Sequence, residues 1–427
     1  MSQSRIVVEG GISLAGKVGI SGSKNAVLPL LAATVLTDAP CLVSSVPGLK
    51  DVEVMSEILR NLGSEVHFDA EAGEIRTLAT DIATSEAPAH LVKSMRASVV
   101  CMGPMLARTG AASFPLPGGC AIGERPIDLH IKGFMALGAD IEVKSDDSGD
   151  GFVEARCKKL KGAEVYLDFA SVGATQNIMM AASLAEGFTI IENAAQEPEV
   201  VDLANFLRKM GARIKGAGTD VIKIKGVEKL HGAEHHVIPD RIEAGTYMLA
   251  AAISRGNVLI DNMVPDHVVP ITAKLRETGV RISEENGGVR VKADEALLRM
   301  TDIKTLPYPG FPTDIQPQFM AFLSTVNGPS AVIETVFENR FMHVAELNKM
   351  NANIIDDGRR AIVKGNAKLK GAKVRATDLR AGAALVIAGL AAEGTTEVSD
   401  IYHIDRGYED IVGKLRSLGA SIERIDT

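Results

Sequence analysis

Six stretches of this chain are apolar at almost every position: "KNAVLPLLAATVLTDAPCLVSS", "MRASVVCMGPMLARTGAASFPL", "VGATQNIMMAASLAEGFTIIEN", "RIEAGTYMLAAAISRGNVLIDN", "TDIQPQFMAFLSTVNGPSAVIET" and "LRAGAALVIAGLAAEGTTEVSD". They begin near Lys24, Met95, Val172, Arg241, Thr313 and Leu379, a period of about 70 residues. A helix that is apolar all round has no face for water, so each stretch predicts a helix buried inside a domain, followed by a strand. A second, amphipathic segment follows each one: "DVEVMSEILRNLGS", "IDLHIKGFMALGAD", "PEVVDLANFLRKMGAR", "HVVPITAKLRETGVR", "HVAELNKMNAN" and "YEDIVGKLRSLGAS". In the last, Tyr408, Ile411, Val412, Leu415 and Leu418 recur at helical spacing, and Gly419 stands where a left-handed cap belongs. Short β-type runs such as "VRISEENGGVRVKA", with its turn-forming "NGG", close the units.

The repeating unit is thus helix–strand–helix–strand–strand, six times over. Three units can surround one core of buried helices, which predicts two similar domains; 427 residues are too many for one ordinary core. The expected division is a first domain over 23–238 and a discontinuous second domain of 1–22 plus 239–427. The second is split because "RIVVEGGISLAGKVGISGS" resembles the strands that lead into later units.

Composition narrows the function classes. The net charge is −8, with both signs dispersed, Trp is absent and aromatics make up 4%, which leaves no basic stripe or stacking platform for nucleic acid. No apolar run reaches the roughly 18 residues of a membrane span, and "MSQSRIVVEGG" lacks a signal-peptide pattern, so the expectation is a cytoplasmic protein without membrane insertion. Cys41, Cys101, Cys120 and Cys157 show neither paired nor metal-ligand spacing, which predicts reduced thiols and no metal site. Three of them suit small buried positions. Cys120 does not: it follows Pro115, Pro117, Gly118 and Gly119 in a loop sequence that is neither helix nor regular strand, so its thiol is a surface accident or a reagent.

The charged residues fall in equivalent places. At or beside the buried-helix starts stand Lys24 and Asn25, Arg96, "SVGAT" at Ser171–Thr175, Arg241, Asp314 and Arg380. Near the second-helix starts stand Lys50 and Asp51, Arg125 and Asp128, Glu197, Asp266, Arg340 and Arg406. Bare helix physics favours acids at N-termini, and an exposed base there costs roughly 0.3–1 kcal/mol. Either each Arg pairs with a nearby carboxylate, or the set shares a phosphate or carboxylate ligand, which the Arg fork suits. Asp314, an acid among these bases, is a helix cap in one reading and a general base in the other. "GGISLAG" and "GSKNA" match neither the P-loop nor the dinucleotide glycine spacing.

With these residues in hand, the chain resembles the enolpyruvyl transferases, and among them those acting on UDP-N-acetylglucosamine in peptidoglycan synthesis. The likeness runs along essentially the whole chain, through "GSKNAVLP", "VKSMRAS", "LPGGCAIGERPIDLH", "SVGAT", "PDRIEAGT", "FPTDIQ", "ETVFENRFMHV", "ATDLRAG" and "YHIDRGYE". It implies a pair of inside-out α/β barrels, each of three βαβαββ units, with the active site in the interdomain cleft. It implies transfer of the enolpyruvyl group of phosphoenolpyruvate to the sugar 3′-hydroxyl with release of phosphate, on small-molecule substrates, without a metal or organic cofactor and without an obligate protein partner. By the same resemblance, Cys120, Asp314 and Lys24 are catalytic. Lys24, Arg96, Arg125 and Arg406, with Asn25 beside them, hold phosphoenolpyruvate. Arg125, Pro126, Ile127, Asp128 and Leu129, with Ser171, Val172, Gly173 and Val336, form the sugar-nucleotide surface, and Arg340, Asp378 and Arg380 are polar residues on the second domain. Phe169 departs from the pattern, since some members carry a basic residue there.

Two neighbouring readings stand beside this one. A 5-enolpyruvylshikimate-3-phosphate synthase shares the six-unit fold but has no loop cysteine in this setting. A sugar-nucleotide-binding paralogue without turnover would tolerate loss of Cys120, Asp314 or Lys24, and all three are present.

Overall fold

The computed structural model describes residues 4–116, 127–145, 151–285, 287–294 and 297–426. Cys120, Arg125 and Pro126 lie outside them. The chain divides into two compact units: of the described residues, 4–21 and 239–426 make one, and 22–116 with 127–238 the other.

In the 22–238 unit the buried helices are Lys24–Ala33, Met102–Thr109 and Val172–Ala182; in the other they are Arg241–Ile253, Gln316–Ser324 and Leu379–Ala391. Each unit has one apolar core built on its own three. The second and fifth begin with 3₁₀ turns, Arg96–Cys101 and Thr313–Ile315. Proline is the physical reason: Pro104 and Pro317 have no N–H to give back to Val100 and Thr313, so the α-type ladder cannot extend through the preceding turn. Close crossings demand small residues. Gly103 lies so near the neighbouring helix that a Cβ on it would stand 2.3 Å from the Asn177 carbonyl oxygen.

The amphipathic segments each close on a residue in the left-handed region: Gly63, Gly138, Gly211, Gly279, Asn351 and Gly419, with φ between 69° for Asn351 and 107° for Gly63. Five of the six are glycine because that conformation is strained for a side chain, and Asn is the best-tolerated alternative. The faces of these helices that carry Val52, Met55 and Leu59, or Leu203, Phe206 and Leu207, are fully buried.

Among the described residues the strands form six sheets, five of four strands and one of three. Within each four-stranded sheet one neighbouring pair is parallel and two are antiparallel. Around the "NGG" turn, Arg281–Glu285 and Gly288–Lys292 pair antiparallel. The sixth repeat is completed from the far end of the sequence: Arg5–Glu9 lies between Thr395–Ser399 and Ser421–Ile425, antiparallel to both. The next strand, Ala15–Gly19, joins Asn257–Asp261 in parallel. The segment "RIVVEGGISLAGKVG" therefore serves two sheets of the unit that holds residues 239–426. No helix among the described residues is long and apolar enough to cross a membrane. Cys41 and Cys101 are buried, Cys157 half-buried, and all three are free thiols.

A partly buried polar knot around the buried Glu243 fixes the end of that first segment. Ser21 N–H donates to Glu243 Oε2 at 2.7 Å, and Lys414 Nζ donates to Glu243 Oε1 at 2.7 Å and to Ser21 Oγ at 2.6 Å. Ser21 Oγ in turn donates to Glu409 Oε2 at 2.6 Å. Burial pushes the Glu243 carboxyl up to about 7, outweighing the lowering by the Lys414 ammonium, itself in hydrogen-bond contact. A carboxyl with a raised folded-state value stabilises the fold fully below its ordinary value of 4.5 and loses that contribution as pH rises through 7.

Two outcomes follow. Gly103→Ala should destabilise the protein by about 1–3 kcal/mol in urea unfolding, the usual cost of overpacking, whereas Gly19→Ala, which meets nothing within 4 Å, should be near neutral. The stability of wild type relative to Glu243→Gln should fall by on the order of 3 kcal/mol between pH 4 and pH 8; parallel pH profiles for the two proteins would rule out a raised Glu243.

Candidate active site

Lys24 is the first residue of its buried helix, where a long side chain escapes the apolar wall around the rest. Its ammonium donates to Asp51 Oδ2 at 3.1 Å, and both side chains are largely buried. Asn25, beside it, is half-buried. Arg96 opens the 3₁₀ turn Arg96–Cys101, which packs against both the Lys24–Ala33 and Val172–Ala182 helices. Ser171 caps the latter helix, its hydroxyl accepting from Ala174 N at 3.3 Å. Val172 and Gly173 make its first turn, half-buried. Asp128 opens the helix Asp128–Ala136, which packs on Val172–Ala182; Asp128 is exposed, Ile127 and Leu129 half-buried. The structure thus places Lys24 and Ser171–Gly173 at the starts of two helices that both pack on the turn opened by Arg96. Phe169 is 46% exposed, two residues before the cap.

The other unit carries a tighter cluster. Asp314 is not a helix cap: the residue before the turn is Pro312, and no side chain caps it. Its carboxylate bridges two guanidinium groups instead. Arg340 Nη2 donates to Oδ1 at 3.1 Å, and Arg380 Nη2 donates to Oδ2 at 3.1 Å. The arginine side chains are 1% and 4% exposed, that of Asp314 27%, so the carboxylate alone presents a face to the outside. The counter-ion shared by these two bases is the chain's own acid. Burial by itself would lower the Arg380 value, but the Asp314 charge, aided by Tyr408 and Asp240, holds it above the ordinary guanidinium range.

The supports are local. Asp378 caps the Leu379–Ala391 helix by accepting from Arg380 N at 2.9 Å and Ala381 N at 3.1 Å. Its Oδ1 also lies 3.8 Å from Arg340 Nη1. Arg340 further donates to the Thr313 carbonyl at 3.1 Å, and His343 Nδ1 meets the Arg340 carbonyl at 3.0 Å. Burial pushes His343 down to about 4, against the charge of Asp378, so it is neutral at pH 7. Arg380 stacks over the Tyr408 ring at 5.5 Å, and the Tyr408 hydroxyl meets Thr246 Oγ1 at 2.9 Å and Gln318 Nε2 at 3.1 Å. Arg406 ends the turn Ile401–Arg406 and is half-buried.

Val336 is held by a residue the motif reading passed over. Buried Glu334 accepts from Thr305 Oγ1 at 2.8 Å, Thr313 Oγ1 at 3.0 Å, Val336 N at 2.8 Å and Phe337 N at 3.2 Å. It ties the Val336 loop to the turn that carries Asp314. Tyr408, read from its spacing as a position of the last amphipathic helix, lies before that helix, which begins at Ile411. Its hydroxyl network was not legible because its partners come from distant segments. The sequence signal for Glu334 is its place at the strand end in "AVIETVFENR", where an acid has no reason to be buried unless the loop amides point at it.

A family model described as EPSP synthase (3-phosphoshikimate 1-carboxyvinyltransferase) matches residues 8–415. The chain is 59% identical over 422 residues to UDP-N-acetylglucosamine 1-carboxyvinyltransferase 1 of Caldanaerobacter subterraneus subsp. tengcongensis, covering 99% of this chain and all of that one. It is 58% identical to UDP-N-acetylglucosamine 1-carboxyvinyltransferase 2 of Carboxydothermus hydrogenoformans, covering 99% of each. Against UDP-N-acetylglucosamine 1-carboxyvinyltransferase 1 of Halalkalibacterium halodurans it is 55% identical, covering 99% of this chain and 94% of the relative. Among solved structures, the enolpyruvyl transferase NikO from Streptomyces tendae superposes with a TM-score of 0.88 at 25% identity, over all of both chains. EPSP synthase from Acinetobacter baumannii shares the fold, with a TM-score of 0.78 at 18% identity over the whole of each chain. A six-fold repeat, a match along nearly the whole sequence and this agreement of folds leave one conclusion: the chain belongs to the enolpyruvyl transferase family, among the UDP-N-acetylglucosamine 1-carboxyvinyltransferases.

Proposed function

We propose that this protein transfers the enolpyruvyl group of phosphoenolpyruvate to the 3′-hydroxyl of UDP-N-acetylglucosamine, releasing phosphate. The observation that carries the reading is identity of 55–59% over nearly the whole chain to three relatives of that name. A proton added to C3 of phosphoenolpyruvate makes C2 electrophilic, and the sugar oxygen bonds to C2 as its own proton leaves. The resulting tetrahedral ketal then loses a proton from C3 and phosphate from C2, which restores the double bond. The reading includes a cytoplasmic setting, a role in cell-wall synthesis, and through it in cell shape and division.

In this reading Cys120 is the general acid toward C3. An ordinary thiol, near 8.5, is mostly protonated at neutral pH and able to donate. Asp314 receives the hydroxyl proton. Each of its oxygens accepts a guanidinium N–H, and its partial exposure is what a base for an incoming hydroxyl requires. Arg340 and Arg380 orient that carboxylate, with Asp378 behind them. Lys24, Arg96, Arg125 and Arg406, with Asn25, hold the phosphate and carboxylate of phosphoenolpyruvate. Residues 125–129, Ser171–Gly173 and Val336 receive the sugar nucleotide.

The name of the matching family model favours one second reading, a shikimate 3-phosphate acceptor. Identity of 55–59% to three relatives named for the sugar nucleotide argues for that acceptor instead. Thermal-shift measurements with UDP-N-acetylglucosamine and with shikimate 3-phosphate separate the two.

Phosphate release from phosphoenolpyruvate should require UDP-N-acetylglucosamine. It should fall by about 10²–10⁴ in Cys120→Ala and in Asp314→Asn, the usual reach of general acid–base catalysis. Turnover within about three-fold of wild type would remove the altered residue from the chemistry. Fosfomycin should alkylate Cys120, and a peptide map showing that thiol unlabelled after treatment would count against its role.

A further inference from the structure

Because the fold repeats, the six sheets serve as controls for one another. Each repeat closes on an antiparallel pair of strands, and on five sheets every Lys and Arg of that pair has an acid beside it. Arg76 lies 3.4 Å from Glu74, and Arg5 lies 3.5 Å from Glu397. Lys144 and Arg156 share Glu154, at 2.6 and 3.5 Å. Arg281 and Lys292, opposite each other, share Asp294 at 3.2 and 3.6 Å, and Arg290 meets Glu285 at 2.7 Å. Arg424 pairs with Asp405 at 2.7 Å, and Arg360 stands opposite Asp357.

The sheet made of Glu164–Tyr166, Phe188–Glu192, Arg213–Lys215 and Val221–Lys225 is the exception. Its closing pair sets Arg213 opposite Lys225 and Lys215 opposite Lys223. All four are exposed on one face, since the residues between them, Ile214, Ile222 and Ile224, are buried. None of the four forms an ion pair among the described residues. Like charges directly opposite each other destabilise a sheet. The stretches "RIK" and "KIK" meet only through the ladder, and they place a block of four positive charges on a chain whose net charge is −8. Phe188 extends the block: it lies opposite Lys225, is 66% exposed, and has the Lys225 ammonium 5.3 Å from its ring centroid. The acids of this sheet stand elsewhere, Glu192 and Asp220 at the far end of the ladder and Glu164 on the opposite edge strand.

A standing repulsion without an internal counter-charge fits a face that meets a polyanion, and the details select which kind. Three of the four bases are lysines, point charges that attract anions without the paired geometry of an Arg fork. Nucleic acid needs an open ring for stacking, but the Phe188 ring lies under Lys225, and the Tyr166 ring lies under Lys132 at 5.9 Å. A protein partner of standard size needs about 800 Å² of complementary surface with an apolar centre. Around the block the outward apolar residues are Phe188 and the half-buried Ile190 and Val221. A bilayer asks for no such centre: bases gain from the potential of an anionic leaflet, and an exposed ring settles at the headgroup level. We infer that the face carrying Arg213, Lys215, Lys223, Lys225 and Phe188 docks reversibly on an anionic lipid surface, lying on the membrane without entering it. The inference is independent of the transferase reading.

The test is co-sedimentation with vesicles of ~30% phosphatidylglycerol in phosphatidylcholine, at roughly 0.1 M and roughly 1 M salt, where the screening length is about 10 Å and about 3 Å. Wild type should bind at the lower salt, come off at the higher, and leave vesicles of phosphatidylcholine alone unbound. The double variant Lys215→Gln/Lys223→Gln should bind about 10–50-fold more weakly, since each base near such a surface is worth about five-fold. Phe188→Ser should weaken binding by a smaller factor. The melting temperature of the double variant should not fall, because the change removes the Lys215–Lys223 repulsion; a lower one would show that these lysines hold the sheet together and would overturn the argument. No binding at the lower salt, equal binding to neutral vesicles, or undiminished binding by the double variant would overturn the inference. So would retention on an oligonucleotide or an acidic polypeptide without vesicle binding, which would give the face to another polyanion.

Discussion

The rest of the structure depends on burying six helices that have no polar side. A helix of this kind needs apolar neighbours all round, and in each unit three helices supply them to one another beneath sheets and amphipathic helices. The only places on such a helix where a charge can stand without being sealed in are its ends. That constraint alone sends Lys24, Arg96 and Arg380 to helix or turn starts, and places Asp314 in the turn that begins Gln316–Ser324. The candidate chemistry therefore gathers at helix starts because the cores exclude it from everywhere else.

Those ends carry an electrostatic burden, since guanidinium groups sit against the positive pole of the helix. Asp314 and Asp378 offset it, one by bridging Arg340 and Arg380 and the other by capping the helix on which Arg380 stands. Buried ion pairs of this sort add little net stability, because desolvation consumes most of the attraction. What they give is position: both arginines are pinned by one carboxylate, and Glu334 ties the turn that holds it to the Val336 loop. In the other unit Lys24 and Asp51 repeat the theme on a smaller scale.

The six-fold repeat, the buried helices and their caps were legible because each follows from local pattern. Gly419 could be placed at a left-handed cap from five apolar residues alone, and the structure gives it φ 97°. The positions of Lys24, Arg96, Asp314 and Arg380 were legible for the same reason. The partners were not. Nothing in "FPTDIQ" says that its acid meets Arg340 rather than a backbone amide, and nothing in "SVGAT" says that Gly173 lies against a histidine 43 positions earlier, as its ring contact shows. Such pairings depend on which helices cross and at what depth. The 3₁₀ starts lay between these extremes: Pro104 and Pro317 carry the signal, yet Pro29 sits inside a helix that continues through it.

The strand Arg5–Glu9 sets a schedule for how the molecule is made. Its partners, Thr395–Ser399 and Ser421–Ile425, follow all the other described strands in chain order, so Arg5–Glu9 stays unpaired until those have been made. Among the described residues, 22–238 draw no strand from outside themselves and have all their sheet partners before residues 239–427 are made. The unit closed by Arg5–Glu9 has the most non-local pairing in the protein, and such pairing slows folding because the loop must close before any contact rewards it. An unpaired, valine-rich edge waiting through that interval is the part of the nascent chain most open to pairing with a stranger.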